Sequence, residues 1–231
     1  MPEVYGVKII KDFRFDKYEE VLKRLPDETI LKIKKFRRYE DSLRALTAQV
    51  LIRTIASEKL NRNSRLINFK TGINGKPYIE NQADFHFNLS HSGDWVACAE
   101  SYRPVGIDVQ RIKDIDFAIT ERFFTKEEAK DIFSKEGDKE KKEYFFNLWT
   151  LKESYIKADG RGLSLPLDSF SFKIEKNKVF FATQNELKDC FFKIYDLDKG
   201  YKVSVCSLEC DFPENITIMK FDDLIIDFLK K

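Results

Sequence analysis

Histidine is nearly missing from this 231-residue chain, which has 2, and cysteine is sparse at 4. Cys98, Cys190, Cys206 and Cys210 have no second pair or neighbouring histidine in sequence to complete a zinc site, and their surroundings are apolar and strand-like. Reduced, structural thiols are the expected state. An excess of one charge is also missing. The 41 Lys and Arg against 39 Asp and Glu leave +2, which excludes a general electrostatic nucleic-acid binder while leaving room for local basic clusters. No segment approaches the roughly 18 apolar residues of a membrane-spanning helix, and MPEVYGVKIIKDFRFD holds no signal-peptide core. A soluble, cytoplasmic protein is expected, so the Asn-x-Ser/Thr matches at Asn88 and Asn215 read as chance. Low-complexity segments are absent, as is any Ser–His or Cys–His arrangement for nucleophilic catalysis. What the chain does have is 42% hydrophobic residues with 21 Phe, ample for a packed core in one large domain or two small ones.

Periodicity divides the chain at Arg103–Pro104. In the first half Val4–Ile10 reads as a strand, Asp27–Tyr39 as a basic helix and Asp41–Leu60 as a longer helix capped by Asp41 and ended by Asn61–Ser64. NGKPY (74–78) is a turn, because Pro77 fixes its own φ and keeps Lys76 extended. Phe85, Phe87 and Leu89 share one face of the next strand and His86, Asn88 and Ser90 the other. SHSGD (90–94) reads as the turn before the strand Trp95–Glu100. In the second half come a strand at Val105–Val109, a Phe-rich helical region at 117–133, a charged loop at 134–142 and a helix over FFNLWTLKESYIKADGRG ended by its glycines. Strands follow near 170–174, 179–182, 191–196 and 202–207. Each half thus gives a strand, a helical stretch, a Gly/Pro turn and antiparallel strands, a faint internal echo.

The charged residues have plain readings when taken singly. Glu153 and Lys157 are one turn apart on a helix, as surface ion pairs commonly are, although their apolar flanks make the position costly for unused charge. Asp108 and Gln110 are i and i+2 on a strand and so share a face opposite Val105, Ile107 and Val109. One carboxylate, one amide oxygen and Glu153 arriving from a helix would form an oxygen-only set that suits Mg²⁺. Lys32, Arg44 and Lys76 read as surface cations one by one and His91 as a loop-capping residue, yet their types suit several phosphates held together.

The ordered set NGKPY…FNLSHSGDW…VGIDVQRI…RFFTKEE…FFNLWTLKESYIKADGRGLSLPLDSFSF resembles the Sfp-type 4′-phosphopantetheinyl transferases, from roughly residue 30 to the end. The resemblance implies an α+β fold of two similar lobes related by a pseudo-twofold axis, each a small antiparallel sheet packed with helices. Residues 1–103 would form the lobe for the 3′-phosphate and adenine side of coenzyme A, and 104–231 the lobe with the Mg²⁺ site and catalytic helix. It implies transfer of 4′-phosphopantetheine from coenzyme A to a serine of an apo acyl or peptidyl carrier protein, by a monomer. Asp108, Glu153 and Gln110 would be the metal set. Glu153 or a metal-bound water would take the serine proton, and Lys157 would meet the pyrophosphate with Lys152 beside it. Lys32, Arg44, Lys76, Ser90 and His91 would grip the nucleotide, and Glu128 would support the site. Relatives often carry Glu at position 110, so this chain is one negative charge short, and an added water is expected to complete the metal shell. Phe117, Phe123, Phe124 and Phe133 offer apolar material for carrier docking, most of it expected in the core. The rival readings are a Mg²⁺-dependent nucleotide pyrophosphate hydrolase and a non-catalytic nucleotide- or carrier-binding protein.

Overall fold

A computed structural model describes residues 1–231 except 12, 14, 177 and 231. In chain order its elements are β1 (Glu3–Lys8), α1 (Phe15–Leu22), α2 (Asp27–Lys34), α3 (Tyr39–Leu60), β2 (Phe69–Thr71), β3 (Pro77–Ile79), β4 (His86–Ser92), β5 (Trp95–Ser101) and β6 (Val105–Arg111). Then follow α4 (Thr120–Phe123), α5 (Lys126–Phe133), α6 (Gly137–Asp159), β7 (Phe170–Glu175), β8 (Lys178–Thr183), β9 (Phe191–Tyr195), β10 (Tyr201–Ser207), β11 (Thr217–Met219) and α7 (Phe221–Lys230).

The echo between halves is a repeated topology. The first half orders its main strands β1-β5-β4 beside the 22-residue α3, with the hairpin β2–β3 apart. The second orders them β6-β10-β9 beside the 23-residue α6, with the hairpin β7–β8 apart. In each, the strand latest in chain order is central and antiparallel to both neighbours. The fold is thus α+β in two lobes of one design.

Each lobe has its own apolar core. One gathers Phe85, just before β4, and Phe87 and Leu89 from β4 with α3 and α7, and the other gathers α6 with the β7–β8 hairpin. A third core lies between the lobes, where Val4, Trp95, Ala97 and Ala99 meet Val105, Ile107, Val109, Val203 and Val205. Strand β5 is therefore covered on both faces, and every residue of it is buried.

Four sequence expectations are corrected. The residues 134–142 are loop only to Glu136, because α6 begins at Gly137. Lys and Glu are good helix formers, and Asp138 and Glu140 suit the positive end of the helix, so no apolar stripe is needed there. Helix α3 begins at Tyr39, and Asp41 pairs with Arg44 in the first turn rather than capping. Strand β4 continues through Ser92, so the turn is only Gly93–Asp94, with Gly93 at φ 57°. Finally, the second lobe does not extend to 231. Strand β11 pairs in parallel with β1, and α7 buries Phe221, Leu224, Ile225 and Phe228 in the first lobe's core.

Candidate active site between the lobes

Strands β4 and β6 are the facing edges of the two sheets, and side chains join them. Asn88, Ser90 and Ser92 recur at the strand period of two. Asn88 Oδ1 accepts from Ile107 N–H (2.9 Å), Ser90 Oγ from Val109 N–H (3.2 Å) and Ser92 Oγ from Arg111 N–H (3.0 Å). Three edge amides that would otherwise be unpaired are satisfied this way. The carbonyl of Ile107, on the same edge, accepts from Lys157 Nζ at 3.2 Å.

Helix α6 packs directly on β6. A Cβ at Gly106 would lie 2.0 Å from Ser154 O and 2.5 Å from Ala158 N, so glycine alone permits this approach. Close packing brings Glu153 and Lys157 over Asp108. Lys157 Nζ donates to Asp108 Oδ1 (2.6 Å) and Ser90 Oγ (3.2 Å). The Ser90 hydroxyl itself donates to Asp108 Oδ1 at 2.8 Å, and Gln110 Nε2 donates to Asp108 Oδ2 at 3.1 Å. Ser92 Oγ reaches Gln110 Oε1 at 3.5 Å, which turns the amide N–H₂ towards Asp108. Asp108 is 1% exposed and fully engaged. Glu153 accepts no hydrogen bond among the described residues. Burial, and then the charge of Asp108, push its carboxyl above the usual range against the pull of Lys157.

These residues border a cavity of about 320 Å³ with Leu89, His91 and Trp149. Leu89 and His91 also border a larger cavity of about 660 Å³ in the first lobe, whose wall carries Lys32, Phe36, Arg53 and Lys70. Six of the sequence candidates thus come together: Ser90, His91, Asp108, Gln110, Glu153 and Lys157. Lys32 stands exposed at the adjoining cavity.

The remaining candidates lie elsewhere. Arg44 donates to Gly93 O (2.8 Å) and pairs with Asp41, both within its own lobe, and it borders neither cavity. Lys76 donates to Lys157 O (2.6 Å), Ala158 O (3.1 Å) and Val105 O (3.1 Å), which uses all three of its protons and leaves none for a phosphate. Lys152 is fully buried. It pairs with Glu128 at 2.8 Å and donates to Leu167 O and Phe170 O, on the side of α6 that faces the second lobe's core. It does not border the crevice. Glu128 forms a capping box with Thr125 and accepts from Phe172 N–H at 2.9 Å. Its place is behind α6, holding the helix, and it touches no reacting atom. Phe124 is buried, Phe117 and Phe123 pack against the same core, and Phe133 is 51% exposed.

Sequence reasoning missed Asn88 and Ser92 as joining residues, although their period-two spacing with Ser90 was available. It also missed Arg53, a cation inside the apolar run VLIRTIA. Arg53 is 3% exposed and donates to Ser64 O and Ile67 O. Its guanidinium lies 4.9 Å from the Phe69 ring centroid, and burial lowers it to about 10.

Two carboxylates crowd one another, an oxygen pair that suits Mg²⁺ with waters. The Gln110 amide presents its N–H₂ to Asp108 and its oxygen to Ser92, so contrary to the sequence expectation it would join the pair only after turning over. No group of three His, Cys, Asp or Glu side chains able to hold a metal occurs among the described residues, so Gln110, solvent or substrate would complete the shell.

Residues 14–103 match the model of the 4′-phosphopantetheinyl transferase N-terminal family, and residues 104–206 that of the 4′-phosphopantetheinyl transferase superfamily. The 4′-phosphopantetheinyl transferase Sfp of Bacillus subtilis (strain 168) is 38% identical over 224 residues, 96% of this chain and all of its own. The transferase gsp of Aneurinibacillus migulanus is 40% identical over 73% of this chain and 70% of its own. The human L-aminoadipate-semialdehyde dehydrogenase-phosphopantetheinyl transferase is 29% identical over 79% and 67%. With a whole-length relative at that identity and both lobes matched, the chain belongs to the Sfp-type 4′-phosphopantetheinyl transferases.

Proposed function

We propose that this chain transfers 4′-phosphopantetheine from coenzyme A to a serine hydroxyl of an apo carrier protein, with Mg²⁺ held by Asp108 and Glu153. The observation that carries the reading is the meeting of Glu153 and Lys157 on α6 with Asp108 on β6, at a crevice that opens into a nucleotide-sized cavity. The serine Oγ bonds to the β-phosphorus and the bond from that phosphorus to the bridging oxygen breaks, releasing 3′,5′-ADP. When bound, Mg²⁺ supplies neutralisation of pyrophosphate charge.

The chain's own residues do the rest. Glu153, whose carboxyl is raised by burial and by Asp108, is assigned as the base for the serine proton, because Asp108 is already engaged by Lys157, Ser90 and Gln110. Lys157 leaves Asp108 for the pyrophosphate as negative charge enters the crevice. Ser90 and Gln110 keep Asp108 oriented through that exchange. His91 borders both cavities and Lys32 borders the larger one, and we assign the pair to the nucleotide's 3′-phosphate. Arg44, Lys76 and Lys152 are not assigned to coenzyme A. Phe133 is the one exposed member of the Phe cluster that we assign to carrier docking. One copy of the chain supplies both walls of the crevice, which supports a monomer as the active form. No helix among the described residues is long and apolar enough to cross a membrane, and the reaction is assigned to the cytoplasm.

The test is to incubate the protein with coenzyme A, Mg²⁺ and an apo carrier domain and weigh the carrier. A phosphopantetheine adduct on serine is expected, and Glu153→Ala is expected to lower its rate by about 10²–10⁴-fold. Release of ADP without a carrier would replace transfer with hydrolysis, and no turnover would leave binding alone.

A further inference from the structure

We infer that Lys76 is a positioning residue, a cation that fixes the last turn of α6 against β6 and so places Lys157 over Asp108. This rests on the transferase reading above, and it differs from the nucleotide contact that the Gly-Lys-Pro motif suggests in sequence. Lys76 sits in the turn between β2 and β3 in the first lobe, where Pro77 holds it extended. Its ammonium reaches across to three carbonyls of the second lobe. Those of Lys157 and Ala158 belong to the final turn of α6, where carbonyls lack helical partners and the helix end is negative. The Gly160 amide is committed to Ile156 O and satisfies neither of them. The third, Val105 O, begins the β6 edge that also carries Asp108. One side chain therefore ties together the backbone beneath Lys157 and the start of the strand beneath Asp108, the two groups that meet at 2.6 Å in the crevice.

The charge is held in a dry place. Burial lowers the Lys76 amine to about 8, with the partial opposition of Cys206 on β10 and Asp159 on α6. Asp159 is itself paired with Arg161, the Cys206 thiol is pushed well up by burial, and His86 and Tyr78 border the cavity behind the amine. Among the described residues no carboxylate is left free to keep Lys76 charged at high pH. A neutral amine has two protons for three carbonyls, so one tie is lost as pH rises through about 8. The sign for folding is opposite. A lysine whose folded value lies below its unfolded 10.5 adds stability as pH rises from about 8 to 10.5, because only the unfolded chain still holds the proton. A fall in turnover in that window is thus not Lys76-driven unfolding.

The experiment compares the full chain with Lys76→Met and Lys76→Arg. Four readouts are needed: kcat and KM for coenzyme A, the calorimetric Kd for coenzyme A, the pH profile of kcat, and amide exchange in the last turn of α6. Lys76→Met is expected to lower kcat by up to about 100-fold, the loss that roughly 1 Å of misplacement causes, with the Kd changed less than about fivefold, the onset of a typical coupling effect. Exchange at residues 157–161 should quicken. Lys76→Arg, which stays charged, should restore part of kcat and move the alkaline limb to higher pH. A coenzyme A Kd weakened tenfold (about 1.4 kcal/mol) with kcat intact would make Lys76 a nucleotide ligand and overturn the inference, as would unchanged values throughout. If Lys76→Met does not fold, an unmoved alkaline limb in Lys76→Arg overturns it equally. A wild-type chain that modifies no carrier sinks the transferase reading instead, while amide exchange still reports on Lys76.

Discussion

Gly106→Ala tests the construction of the site most directly, because one added carbon meets backbone that cannot rotate away. The new Cβ would lie 2.0 Å from Ser154 O, whereas carbon–oxygen contacts settle near 3.3 Å. Helix α6 must then retreat from β6 by about 1.3 Å, the difference between these distances. The retreat acts on Ser154 and Ala158, the chain neighbours of Glu153 and Lys157, so the 2.6 Å pair of Lys157 with Asp108 opens. Overpacking of this kind costs about 1–3 kcal/mol in stability. A misplacement near 1 Å costs about 100-fold in rate, so activity should fall further than stability. Urea unfolding gives the first quantity and carrier modification at saturating coenzyme A the second. A Gly106→Ala protein within about 0.5 kcal/mol of wild type and fully active would refute the close approach of α6 and β6.

Three further outcomes are expected. Glu128→Gln and Lys152→Met should each cost about 3–5 kcal/mol, since each strands a buried charge, and the double variant should recover much of that in a urea double-mutant cycle. Gln110→Glu should tighten Mn²⁺ binding, measured by electron paramagnetic resonance with coenzyme A present, and lower the Mg²⁺ needed for half-maximal turnover; unchanged values would place residue 110 outside the metal's reach. Ending the chain at residue 216 removes Phe221, Leu224, Ile225 and Phe228 from the first core. At about 1.5–3 kcal/mol for each, the loss reaches the whole stability of a domain, and the truncated protein should be unfolded by circular dichroism.

Legibility in the sequence follows how local the physics is. The alternation of β4, the shared face of Asp108 and Gln110, and the i,i+4 spacing of Glu153 and Lys157 are local periodicities, and they set the main walls of the crevice. Lys152 and Glu153 look alike in sequence, yet one residue of helix turns a side chain by about 100°. That rotation sends Lys152 into the core to meet Glu128, a partner that a charge pattern on α6 cannot reveal. Lys76 misleads for a related reason: a Gly-Lys-Pro turn suggests an exposed cation, and only the docking of the second lobe supplies its three carbonyls. The return of β11 to β1 is the least local feature. It is a three-residue parallel pairing between opposite ends of the chain, and nothing in the alternation of either strand names the other.

The joining of β4 to β6 raises the question of what holds the lobes together and what merely aligns them. The Asn88, Ser90 and Ser92 contacts are hydrogen bonds between neutral groups that replace bonds to water, worth about 0.5–1.5 kcal/mol each net. The core between the lobes fully buries Val105, Ile107, Val109, Val203 and Val205, each worth about 1.5–3 kcal/mol. Apolar burial therefore dominates association, but it tolerates sliding, because methyl groups on one sheet face accept several registers. Hydrogen bonds at fixed spacing do not. The polar edge thus contributes the register that the apolar core leaves loose, and Asp108 takes its position from that edge. Removing Asn88 or Ser92 should accordingly shift kcat more than stability, whereas trimming Val203 or Val205 should do the reverse.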